Sequence, residues 1–158
     1  MDQNKSSVQR VLDELDSLNI PTNFVDLPQS TRTAKEAAEA VGCHVSQIVK
    51  SLVFETENSH KPILVLTSGS NKVNEVVVGT VVGEKINFAS VEFVREVTGF
   101  AIGGVSPFGL KGKIRTFIDE DLQKHPLIWA AAGSHHAVFS ISPEDLVNAT
   151  KAEVIKVQ

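Results

Sequence analysis

Val8, Val11, Leu12, Leu15 and Leu18 recur at three- and four-residue intervals before Pro21, which predicts an amphipathic N-terminal helix. Phe24 and Val25 start a short strand ahead of Pro28. Thr33 and Glu36 form a capping box for a second helix, with Ala37, Ala38 and Val41 on its small-residue face and Gly42 at its C-terminal cap. A helical turn around Ser46 to Ile48 leads into two apolar strands, Val49 to Phe54 and Ile63 to Thr67, joined by a polar turn. Composition reads Val73 to Val82 as strand. Val73, Val76, Val77, Thr80 and Val81 keep helical spacing and Gly83 closes the run, so helix is expected. Ile86 to Phe88 is a strand, and Ser90 caps a helix carrying Val91, Val94 and Val97 up to Gly99. Strands are then expected at Phe100–Ile102, Ile114–Ile118, Ile128–Ala131, Ala137–Ile141 and Ala152–Val157, with a helix opening at Ser142-Pro143. Without regular βαβ alternation, the order predicts one α+β domain over residues 1–158, with residues 1–20 as its N-terminal helix and a mixed, curved sheet.

The chain has 158 residues, 42% of them hydrophobic and 22% charged, enough for a real core and too balanced for disorder. No apolar run reaches membrane-spanning length, and MDQNKSSVQR has no signal-peptide core, so the cytoplasm is the default compartment, with no membrane partner. The single cysteine, Cys43, excludes an internal disulfide. A net charge of −4 gives no footprint for non-specific DNA or RNA binding and confines any RNA contact to one face.

The stretch Phe100 to Leu110, FAIGGVSPFGL, is the first chemical candidate. Gly103 and Gly104 permit close approach to the backbone, and Pro107 stiffens the loop and restricts Ser106. A plain structural turn has the same composition. Lys50 shares a strand face with Ile48, Leu52 and Phe54, so its ammonium either snorkels to water or stands at the mouth of an apolar cleft, facing a phosphate, carboxylate or carbonyl oxygen. Gly133-Ser134-His135-His136 is a second small-residue loop offering amides, a hydroxyl and imidazoles. Adjacent histidines on a strand point apart and do not make a metal site. Ser106 lies outside a GxSxG elbow, and the glycine loop lacks the GK[ST] of a nucleotide-binding P-loop. Lys111, Lys113 and Arg115 alternate and would share one strand face, either as a solvated edge or as a landing site for a nucleic-acid backbone.

Three segments, TAKEAAEAVGCHVSQIVKSLVF (Thr33 to Phe54), TGFAIGGVSPFG (Thr98 to Gly109) and AAGSHHAVFSISPEDL (Ala131 to Leu146), together resemble the YbaK/ProX family of aminoacyl-tRNA editing proteins, from about Pro21 onward. The resemblance implies a partly barrel-like mixed sheet flanked by helices. It also implies hydrolysis of the ester linking a wrong amino acid to the tRNA 3′-terminal ribose, with alanine, cysteine, serine or threonine as the expected amino acid and tRNA-Pro as the expected carrier. The family's lysine falls on Lys50 and its GxxxP loop on Gly103 to Pro107. Catalytic roles are therefore expected for Lys50, Gly103 and Gly104. Substrate contacts are expected from Ser51, Ser106, Pro107, Gly133, Ser134, His135 and His136. No zinc, nucleotide or other cofactor is implied, and no protein general base. The implied partners are mischarged tRNA and, given the acidic balance, a prolyl-tRNA synthetase or elongation factor. The polar segment Asn71-Lys72-Val73-Asn74 departs from the acidic residue many relatives carry there. The alternative readings are a binding module of the same fold without catalysis, and an esterase acting on simple amino-acid esters.

Overall fold

The computed structural model describes residues 6–29, 31 and 33–158; part of the N-terminal segment examined for a signal peptide, residues 1–5, lies outside them. The elements run α1 (Ser7–Ser17), β1 (Asn23–Asp26), α2 (Ala34–Val41), β2 (Val49–Thr56), β3 (Pro62–Ser68), α3 (Glu75–Val82), β4 (Ile86–Phe88), α4 (Val91–Thr98), β5 (Arg115–Asp119), β6 (Ile128–Ser134), β7 (Ala137–Ile141), α5 (Pro143–Thr150) and β8 (Glu153–Ile155). Short 3-10 turns occupy Val45–Gln47 and Glu120–Lys124.

The fold is α+β, with strands in two sheets. One is antiparallel, ordered β1-β7-β6; the other is mixed, ordered β4-β2-β3-β5-β8, with β5 parallel to both β3 and β8. A parallel bridge between Ile48 and Trp129 joins the sheets at one point, and they do not close into a barrel. The main core lies between them and includes Val53, Leu64, Phe100, Phe108, Phe139 and Ile141. Phe54, Val65, Val78 and Phe117 form a second cluster on the other face of the mixed sheet, and Leu27, Ala38, Trp129 and Val138 a third under α2.

Local chemistry explains the helix ends. Thr33, Ser90 and Ser142 each accept an amide at N3, and Gly42, Gly83 and Gly99 end their helices at positive φ. Two expectations need correction. Within α3, Val76 is 78% exposed while Val78 and Gly79 are buried, so the packed face is not the predicted one. Gly79 decides this: a Cβ there would stand 3.1 Å from Glu84 O, and its absence lets α3 settle on the chain leading to β4. Second, Phe100–Ile102 is not a strand. Thr98 Oγ1 takes the Phe100 amide at 3.0 Å, and the Phe100 ring is buried as a loop anchor, with no strand among the described residues paired to it.

Candidate functional site

A cavity of about 590 Å³ opens where the two sheets part. Beyond the Ile48–Trp129 bridge nothing among the described residues pairs with β2 on that side until β4 joins at Phe54. The phase of the edge follows from two bonds: Gly69 N donates to Ile48 O on the β3 side, and Ala89 N donates to Val53 O on the open side. Because alternate residues point opposite ways, Val49, Ser51 and Val53 turn their peptide groups toward the cavity. Gly69 brings the start of α2 over its inner end, since a Cβ there would stand 2.9 Å from Ala34 Cβ.

Lys50 and Ser51 both line this space. Lys50 is half-buried and its Nζ donates to Asn71 O. Burial, then the neighbouring Lys72 charge, push its pKa below the ordinary lysine value, and Asp119 opposes that shift. Asn71 is fixed in turn: its amide nitrogen donates to Asp119 Oδ2 and Asp121 Oδ2, each at 2.8 Å. Asp119, 1% exposed, also accepts Ser68 N at 3.0 Å and Asp121 N at 2.9 Å. The polar segment Asn71-Lys72-Val73-Asn74 thus supplies the carbonyl that holds Lys50. Ser51 Oγ and Thr67 Oγ1 are buried without a hydrogen-bond partner.

The opposite wall is the loop from Gly99 to Gly109. Its neck is closed by Lys111 N donating to Thr98 O at 3.1 Å. Its feet are tied to α1: Arg10 Nη2 donates to Gly99 O at 2.8 Å and Nε to Gly109 O at 3.4 Å, while Glu14 Oε1 accepts Gly109 N at 2.7 Å. The Arg10 guanidinium also lies 5.1 Å over the Phe100 ring. Gly109 and Gly133 allow α1 to approach, for Cβ atoms there would fall 2.9 Å from Val11 N and 2.7 Å from Ser7 O.

The loop meets the β6–β7 hairpin. Gly103, at φ +91, faces the His135 ring, and a Cβ on Gly104 would stand 3.1 Å from Gly133 O and from Ser134 Cα. Gly103, Ser134, Lys50 and Ser51 therefore share the cavity. The other expected residues are placed differently. The Gly104 amide donates to Ala101 O at 3.0 Å, so it is engaged within the turn. Ser106 and Pro107 are buried beneath the loop, with Ser106 Oγ accepting Phe108 N, and neither lines the cavity. Gly133 packs on α1, and His136 is exposed beyond the rim. The basic stripe does not form: Lys111 and Lys113 precede β5, and Arg115 folds over Phe117 and donates to Val82 O. Among the described residues no three His, Cys, Asp or Glu side chains gather to hold a metal ion.

Sequence reasoning passed over Asp119, Phe88 and Trp129. Asp119 had a signal, a carboxylate ending the apolar run Phe117-Ile118; the two aromatics had none, since only the parting of the sheets brings them to one cavity.

The family model for the aminoacyl-tRNA editing domain matches residues 28–149. The uncharacterised protein YwhH of Bacillus subtilis (strain 168) is 30% identical over 140 residues, 89% of this chain and 88% of its own. A candidate Cys-tRNA(Pro)/Cys-tRNA(Cys) deacylase, EbsC of Enterococcus faecalis (strain ATCC 700802 / V583), is 24% identical over 126 residues, 79% of this chain and 76% of its own. A solved structure described as a candidate trans-editing enzyme for prolyl tRNA synthetase superposes with TM-score 0.90 at 44% identity, covering 96% of each chain.

Proposed function

The chain belongs to the family of aminoacyl-tRNA editing domains, hydrolases of mischarged tRNA, and from that premise we propose that it clears a small wrong amino acid from tRNA-Pro in trans. One observation supports this reading above the others: the lysine of the first family segment, the glycine loop of the second and the hairpin of the third wall a single cavity. In the reaction water adds to the ester carbonyl, the acyl–oxygen bond breaks, and the ribose hydroxyl leaves with a proton. Lys50 holds the substrate through a carbonyl or phosphate oxygen, and its charge stabilises the oxyanion that develops there. Gly103 offers an amide beside the ester, and Ser51 and Ser134 shape the acyl pocket; His135 does not line the cavity and acts through Gly103, over which its ring lies. No side chain is assigned as general base; the attacking water gives its proton to solvent, directly or relayed through a substrate hydroxyl that passes on its own.

Alanine, cysteine, serine and threonine are the acyl groups proposed, and neighbouring members of that set differ by little more than a methyl or hydroxyl. An apolar pocket separates such pairs by only about 1–3 kcal/mol. The net charge of −4 supports assistance from a prolyl-tRNA synthetase or an elongation factor in holding the tRNA. The proposed compartment is the cytoplasm; among the described residues no helix is long and apolar enough to cross a membrane. Deacylation assays with alanyl-, cysteinyl-, seryl- and threonyl-tRNA-Pro test the reading. Release of at least one acyl group is expected. Binding of tRNA without release of any would leave a binding module instead, and turnover of simple amino-acid esters alone would leave an esterase.

A further inference from the structure

Phe88, the last residue of β4, is 60% exposed at the outer rim of the cavity. Its ring is not loose: Phe54 backs it at a centroid distance of 4.5 Å and an interplanar angle of 36°. Phe54, Leu52 and Lys50 share one face of β2, so the row from Phe54 to Lys50 runs about 14 Å at ~3.4 Å per residue. Leu52 and Lys50 both line the cavity. An exposed aromatic ring, a half-buried leucine and an ammonium thus stand in line along the open strand edge. On the facing lip, Ile102 of the glycine loop is 49% exposed.

Single exposed apolar residues are ordinary; what singles these two out is that both line the cavity that holds Lys50 and Gly103. Its occupant follows from continuity with the ester site. A small acyl group held near Lys50 and Gly103 does not extend to Phe88. The parts of the substrate that arrive beyond the ester are the terminal ribose, its base and the adjoining nucleotide. Unpaired RNA ends bind proteins by stacking bases on aromatic rings, and a phosphate on the same strand complements an ammonium.

We propose that Phe88, at the rim of the cavity that Leu52 and Ile102 also line, is a stacking subsite for an unpaired nucleobase at the 3′ end of the substrate. This rests on the deacylase reading and adds to it how the RNA end is held. The ring contributes to binding RNA and takes no part in the chemical step.

The test combines kinetics with titration of a labelled, unacylated RNA oligonucleotide ending in CCA. Phe88→Ala is expected to raise KM for mischarged tRNA roughly tenfold and to weaken oligonucleotide binding by a similar factor, with kcat nearly unchanged. Phe88→Trp is expected to keep both, and a simple amino-acid ester lacking a base should not distinguish the variants. Unchanged KM and unchanged oligonucleotide binding in a folded Phe88→Ala protein would overturn the proposal. So would a wild-type dimer that Phe88→Ala dissociates, which would give this face to a second copy. If the wild type releases no acyl group, the deacylase reading fails separately. The titration still decides: Phe88-dependent binding supports the subsite, and absent or Phe88-independent binding overturns it.

Discussion

The imidazole of His135 lies so close over Gly103 that a Cβ built there would stand 2.7 Å from Nδ1. Gly103 also holds φ +91, where a side chain is strained whatever the space. These two costs separate experimentally, because the exposed His135 ring can swing away and the backbone cannot change hand without moving the loop.

Gly103→Ala is therefore expected to lower the melting temperature, by an amount matching about 1–2 kcal/mol of backbone strain, and to cut deacylation at least tenfold. Adding His135→Ala should recover part of the stability and none of the rate. Thermal melts and single-turnover assays on the two variants check this. Full recovery of the rate in the double variant would show that the His135 clash, rather than loop conformation, limits activity.

Lys50→Ala is expected to abolish deacylation with little loss of fold, and the charge state of Lys50 gives a second handle. Burial and the Lys72 charge lower its pKa in the folded protein. Between that value and the ordinary one the unfolded chain binds more protons, so this group's contribution to stability rises with pH across the window. Replacing exposed Lys72 by Gln removes a like charge and should move the Lys50 titration upward. Amine acetylation at Lys50, followed by mass spectrometry against pH, would record it. An unmoved titration would mean that burial alone sets the shift.

Asp119 accepts three hydrogen bonds at 1% exposure, and two of them, from Ser68 N and the Asn71 amide, converge on one oxygen. Asp119→Asn turns part of that acceptor into a donor facing donors. A loss of about 2 kcal/mol in urea unfolding is expected, with a smaller loss for the half-exposed Asp121→Asn. Because Asn71 O receives the Lys50 ammonium, Asp119→Asn should also lower kcat/KM under conditions where the protein remains folded.

Local rules carried much of this fold into view. The caps at Thr33, Ser90 and Ser142 and the helical period of the valine-rich segment are short-range signals, and each element formed where they placed it. The misplacements came from tertiary context. Phe100–Ile102 has strand composition, yet no strand among the described residues pairs with it, and Arg10 and Thr98 hold its start as a loop. Val76 has the right period for burial, yet Gly79 is what the neighbouring backbone can approach. Lys50 was legible because a charge on an apolar strand face demands explanation. Its link to Asp119 was not, because the two are 69 positions apart and the hydrogen-bonded connection runs through the side chain and carbonyl of Asn71.

The ties from Arg10 and Glu14 to Gly99 and Gly109 set a boundary of their own. Both tethering residues precede residue 28, where the family match begins. A chain cut back to the matched segment would keep Lys50, the hairpin and every glycine of the loop, and would release both ends of that loop from their moorings. Deacylation is therefore expected to need α1, and exchanging this helix between relatives is expected to change how the loop is held without altering one residue that lines the cavity.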